Sequence, residues 1–191
     1  MPKVSTPDFR NGLTIVINGT LYNIIEFQHV KPGKGPAFVR TKLKGVETGK
    51  IIDKTFRSGE SVDSVRVERH PYQYLYFDGD LYHFMHKQTY EQIGLPPHQV
   101  DKNKFMKESQ DVVVVINADE DKILFTELPD HVELEVTQTD PGVRGDTAQG
   151  GSKPATLETG AVVQVPLFIN EGDKLRVDTR TSTYIERVKS D

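Results

Sequence analysis

A chain of 191 residues with 24 Lys and Arg against 28 Asp and Glu carries a formal net charge of -4, and it contains no cysteine. Disulfide scaffolds and thiolate metal sites are therefore excluded, which fits a reducing compartment. No apolar stretch approaches the roughly 18 to 20 residues of a membrane-spanning helix, and Met1-Pro2-Lys3-Val4-Ser5 lacks the apolar core of a secretion signal, so a cytoplasmic protein without a membrane partner is expected.

The charge is unevenly spread. Residues 1–64 sum to +4, and residues 65–128 and 129–191 sum to -4 each. Turn signals separate many short strand-like runs, which indicates an all-β protein of barrels or sandwiches. In chain order, residues 15–17 and 21–27 flank Asn18-Gly19, a pair that tolerates positive φ and predicts a tight hairpin turn. The next connection is Lys31-Pro32-Gly33-Lys34-Gly35-Pro36, after which residues 37–43 alternate apolar and polar as a strand does. Pro32 and Pro36 disfavour helix, Gly33 and Gly35 remove Cβ atoms, and Lys34 is left at the tip.

A Pro/Gly turn carrying a lysine is by itself an ordinary solvated hairpin tip. The surroundings favour a role: between Lys31 and Arg57, eight cations stand against Glu47 and Asp53, a local excess of +6. That excess predicts a phosphate-bearing partner, and Arg40, Lys42, Lys44 and Lys54 read either as RNA contacts or as a plain solvated strand face.

Residues 72–77 and 81–85 flank Asp78-Gly79-Asp80 as a second hairpin. Its aromatic residues, Tyr72, Tyr74, Tyr76, Phe77, Tyr82 and Phe84, read either as core and cross-strand packing or as a base-stacking platform. Two short helices are expected, over residues 89–93 with Thr89 as N-cap and over residues 101–109 with Asp101 as cap. Strands follow over residues 111–117, 123–125, 131–138, 161–168 and 174–178. Polar bridges at residues 61–69 and 127–130 set expected domain bounds of 1–64, 65–128 and 129–191. The Gly-rich loop between residues 141 and 153 is long for a barrel connection. Arg144 there suits phosphate, and Gly145, Asp146 and Thr147 suit backbone, base-edge or ribose contacts; a plain surface loop is the other reading.

The run from Lys153 through Pro154-Ala155-Thr156-Leu157-Glu158-Thr159-Gly160 to Asn170-Glu171-Gly172, with Asp8-Phe9-Arg10-Asn11-Gly12, the Lys34 hairpin and the 72–85 region, resembles the bacterial elongation factor P family from end to end. The resemblance implies three small barrels in a row, an N-terminal SH3-like (KOW-type) barrel and two OB-fold domains, in an elongated tRNA-like shape. It implies binding to the 70S ribosome beside peptidyl-tRNA carrying proline, with contacts to ribosomal RNA, and relief of stalling at consecutive prolines. Lys34 would meet the CCA end and carry a covalent lysine-type modification made by a dedicated enzyme, with no other cofactor. The Gly145-Asp146-Thr147 loop would lie near the messenger codon at the exit site.

No catalytic residue is assigned. His83 and His86 are three apart in strand-like sequence, which places them on opposite faces and argues against a shared metal. Asp78, Asp80 and the Asp119-Glu120-Asp121 run belong to turns, and no phosphate-loop motif is present. A general single-strand RNA binder and a small hydrolase with a dispersed site remain the other readings.

Overall fold

The computed structural model describes residues 1–142 and 151–189. Their regular structure is almost entirely antiparallel strand, in three sheets, with helix confined to three 3-10 turns at Thr6–Asp8, Pro97–Gln99 and Asn103–Phe105. The chain resolves into two compact units, Met1–His70 with Val114–Thr126 and Pro71–Val113 with Glu127–Asp191.

The N-terminal sheet holds β1 (Lys3–Ser5), β2 (Thr14–Ile17), β3 (Thr20–Val30), β4 (Phe38–Gly45), β5 (Ile51–Arg57) and β6 (Ser61–Ser64), in the order β1-β6-β2-β3-β4-β5. Asn18 and Gly19 take φ of 49° and 78°, closing the expected two-residue turn between β2 and β3. In β4 the side chains alternate as period-2 geometry requires: Val39, Thr41 and Leu43 are buried, and Arg40 and Lys42 are exposed. The inward set joins Phe9, Ile15, Ile24 and Phe56 in one core, with the Phe9 and Phe56 rings edge to face at 5.2 Å. Within the same unit, Lys122 of the hairpin that follows reaches Glu47 at 2.5 Å, and Arg66 reaches Asp119 at 3.3 Å.

The middle sheet contains β7 (Val67–Phe77), β8 (Tyr82–His86), β9 (Gln92–Leu95), β10 (Asp111–Asn117) and β11 (Lys122–Glu127), in the order β11-β10-β7-β8-β9. The helix expected over residues 89–93 does not form. His86 Nδ1 accepts the backbone N–H groups of Gln88 and Thr89, Tyr90 turns the chain at φ 61°, and β9 then pairs with β8. Sheet pairing outcompetes a helix too short to nucleate alone.

The third sheet holds β12 (His131–Thr139), β13 (Ser152–Leu157), β14 (Val162–Pro166), β15 (Lys174–Asp178) and β16 (Thr183–Val188), in the order β14-β13-β12-β15-β16. Val132, Leu134 and Val136 point inward from β12 onto Leu157, Val163, Ile169 and Leu175. Phe105 completes this core. The two helical turns expected over residues 101–109 shrink to Asn103–Phe105, because Asp101 Oδ1 accepts the neighbouring Lys102 N–H and Lys102 sits in the left-handed region at φ 57°. Burying Phe105 and Met106, both under 10% exposed, decides the path.

Candidate nucleic-acid interface

Strands β3 and β4 pair from Tyr22 opposite Gly45 to Val30 opposite Phe38, and Lys31–Pro36 is the core of the connection beyond the last pair. Lys34 is exposed at its tip, as are Lys31, Gly33, Gly35 and Pro36, with Pro32 half-buried. Gly35 has φ +97°, a conformation that L side chains rarely adopt, whereas Gly33 has an ordinary φ; a Cβ on either would meet nothing within 4 Å. Among the described residues, no carboxylate forms an ion pair with Lys31 or Lys34. The tip therefore presents an ammonium group with space around it.

The strands below the tip sort the other cations by face. Arg40, Lys42 and Lys44 share the outer face of β4, away from Val39 and Leu43. Lys54 does not join them. It pairs with Thr41 of the inward set, and its ammonium lies 5.4 Å from the centre of the buried Phe56 ring. Directly paired residues of antiparallel strands share a face, so Lys54 lies across the sheet from Arg40, Lys42 and Lys44.

The same rule adds a residue that sequence reasoning left in the charge count without selecting it. Arg57 pairs with Phe38, and the Arg40 guanidinium carbon stands 5.4 Å from the Phe38 ring centre. Phe38 thus has an arginine on each side at the base of the loop. Only cross-strand register brings residues 40 and 57 together, and register has no local sequence signal here. Acids intrude at one point: Lys42 is flanked in register by Glu26 and Asp53.

Arg144, Gly145, Asp146 and Thr147 lie outside the described residues. At the near end of that segment, a Cβ on Gly142 would stand 2.5 Å from the Leu167 carbonyl oxygen, so only glycine fits. At the far end Lys153, 6% exposed, donates from Nζ to the Asp140 carbonyl.

The enzyme-like features disperse. His83 and His86 fall on opposite faces of β8: His83 stacks on Tyr76, and the buried His86 packs edge to face on Tyr72. Asp78 Oδ1 accepts the N–H groups of Asp80 and Leu81, both at 2.8 Å, as a turn residue does. Among the described residues, no group of three His, Cys, Asp or Glu side chains could hold a metal. Of the six hairpin aromatics, Tyr72, Tyr74 and Phe84 are core, and Tyr76 and Phe77 are exposed.

Three family models match the chain: Elongation factor P (EF-P) KOW-like domain over residues 5–62, Elongation factor P (EF-P) OB domain over residues 67–124, and Elongation factor P, C-terminal over residues 132–187. The chain is 56% identical over 185 residues to Elongation factor P 1 of Porphyromonas gingivalis, covering 97% of this chain and 98% of that one. It is also 56% identical over 186 residues to Elongation factor P of Pelotomaculum thermopropionicum, covering 97% of this chain and 100% of that one. A solved structure named Eukaryotic translation initiation factor 5A from Methanococcus jannaschii overlaps 67% of this chain and 92% of its own, at 21% identity and a TM-score of 0.45.

Proposed function

The chain belongs to the elongation factor P family and is a translation elongation factor, and we propose that it binds the 70S ribosome beside peptidyl-tRNA and speeds peptide-bond formation at consecutive prolines through its Lys34 loop. The N-terminal sheet is KOW-like and the middle one belongs to an OB domain; residues 1–64, 65–128 and 129–191 are taken as the working domains. The observation that carries the reading is Lys34, exposed and without an ion-pair partner among the described residues, at the end of a long two-stranded arm.

Proline reacts slowly as donor and acceptor because its ring fixes φ and its nitrogen is a constrained secondary amine, so the reacting ends are easily held out of line. The Lys34 loop acts on that alignment. A lysine ammonium is charged at neutral pH and suits phosphate and ribose oxygens of the CCA end, and a covalent lysine-type extension added in the cytoplasm by a dedicated enzyme lengthens its reach. No proton transfer by the protein is required, so the role is orienting and not enzymatic. Arg40 and Lys44, with Arg57, supply the phosphate contacts of the arm to tRNA or ribosomal RNA, and Arg144 with Gly145, Asp146 and Thr147 serves the exit-site codon.

The test is a reconstituted translation system lacking its own factor, reading through a Pro-Pro-Pro reporter with no protein, with this protein purified in its modified form, and with Lys34→Ala. Relief of stalling that Lys34→Ala loses supports the reading. Relief that survives Lys34→Ala moves the activity to the sheet surfaces, and no relief by the modified protein overturns the assignment to proline stalling.

A further inference from the structure

A two-residue period places Tyr72, Tyr74 and Tyr76 on one face of β7, and the first two are indeed core at 5% and 6% exposure. Tyr76 is 48% exposed. The cause is a β-bulge: Tyr74 pairs with Phe84 and Tyr76 with His83, so Leu75 is the extra residue and everything beyond it changes face. Phe77, opposite Tyr82, takes the face of Tyr72 and Tyr74, though at 43% exposure it is not buried there, and Tyr76 is turned to the other face.

The outward ring is held firmly. Tyr76 stacks on His83 at 4.6 Å with the planes 15° apart, and His83 Nε2 lies 2.7 Å from Asp78 Oδ2. Across the sheet from His83 is Gly94, where a Cβ would come 3.1 Å from Leu81 Cδ1 and 3.4 Å from His83 Cε1. The missing side chain lets the imidazole lie where it does. A bulge, a glycine and a carboxylate thus hold one face of Tyr76 against His83 while the residue stays 48% exposed.

The charge that the hairpin itself carries has one sign. Residues 72–86 contain Asp78 and Asp80 and no Lys or Arg, and Asp80 makes no side-chain ion pair among the described residues. A polynucleotide would bring phosphates to two carboxylates. A guanidinium is drawn both to the negative face of the phenol ring and to a neighbouring carboxylate, and its plane stacks as an ammonium does not. We propose that the end of the β7–β8 hairpin is a docking ledge for an arginine-bearing segment of a basic protein, with the exposed Tyr76 receiving the guanidinium and Asp80 pairing with it. The inference does not depend on the role of Lys34.

The test is a ¹⁵N–¹H NMR titration of the full chain with the capped peptide Gly-Arg-Gly-Arg-Gly, its lysine counterpart, and single-stranded octauridine. The arginine peptide is expected to shift the amides of residues 76–83 and to bind about fivefold more tightly than the lysine peptide. Tyr76→Leu and Asp80→Asn each bring it down to the lysine level, and Tyr76→Phe keeps the preference. Unchanged spectra away from the hairpin confirm that the variants are folded. Equal affinity for the two peptides, binding indifferent to Tyr76→Leu, or no shift at the hairpin overturns the proposal. Octauridine binding at these amides that Tyr76→Leu abolishes replaces it with a base-stacking site.

Discussion

The ammonium of Lys42 lies 3.9 Å from a carboxylate oxygen of Glu26, and on its other flank Lys42 pairs in register with Asp53. Two acids therefore face one of the four cations on the outer surface of β4 and β5. No described carboxylate forms an ion pair with Arg40, Lys44 or Arg57, so the charge of these three is not offset as that of Lys42 is.

Removing these cations should weaken RNA-dependent ribosome binding unequally. Arg40→Ala and Arg57→Ala are each expected to lower the slope of log affinity against log salt by about 1. Lys42→Ala should lower it less, since its charge is already shared. Lys54→Ala, on the opposite face, should leave it unchanged. Binding measured at several salt concentrations decides, and a Lys54→Ala loss equal to that of Arg40→Ala would refute the face assignment.

The two glycines beside Lys34 should not be equivalent. Gly35→Ala forces an L residue to φ +97° and is expected to cost about 1 kcal/mol in urea unfolding while weakening stalling relief. Gly33→Ala has open space and an ordinary φ, and should change stability by less than about 0.5 kcal/mol. Lys34→Ala should leave stability alone and remove function. Equal effects at residues 33 and 35 would show that the tip conformation is not what matters.

What could be read from the chain alone was local. Asn18-Gly19 announces its turn because both residues tolerate positive φ, and the Pro/Gly frame announces the Lys34 tip for the same kind of reason. Faces and partners were not legible. Lys54 looks like one more cation of a basic stretch until its pairing with Thr41 turns it toward Phe56. Arg57 meets Phe38 only through register, and one bulged residue, Leu75, moves Tyr76 from the core side to the outside. The helix expected over residues 101–109 followed from a cap residue and length, and gave way because Phe105 gains more from the third sheet's core than a two-turn helix gains from its own hydrogen bonds.

The contribution of Phe105 is measurable. Phe105 is 7% exposed among Leu134, Leu157 and Val177, so Phe105→Ala should destabilise by about 3 to 5 kcal/mol, as truncation of a buried aromatic does. Tyr90→Phe, at a site 69% exposed, serves as the control and should stay within about 0.5 kcal/mol. Urea unfolding followed by tyrosine fluorescence reads both, and a Phe105→Ala loss as small as the control would mean that the turn holds itself.

Asp78 sets the acid limit of the β7–β8 hairpin. Its carboxyl is lowered to about 2, first by the hydrogen bond to His83 and then by the N–H groups of Leu81 and Asp80. The folded-state value lies below the unfolded one of about 3.9. The ionised carboxylate therefore contributes stability that is fully present above about pH 4 and is lost as the pH falls toward about 2. The gap in Tm between this protein and Asp78→Asn should close through that window, and amide shifts of residues 76–83 should move in the same window as His83 loses its anchor under Tyr76. A gap that stays constant down to pH 2 would show that Asp78 is not what holds the ledge.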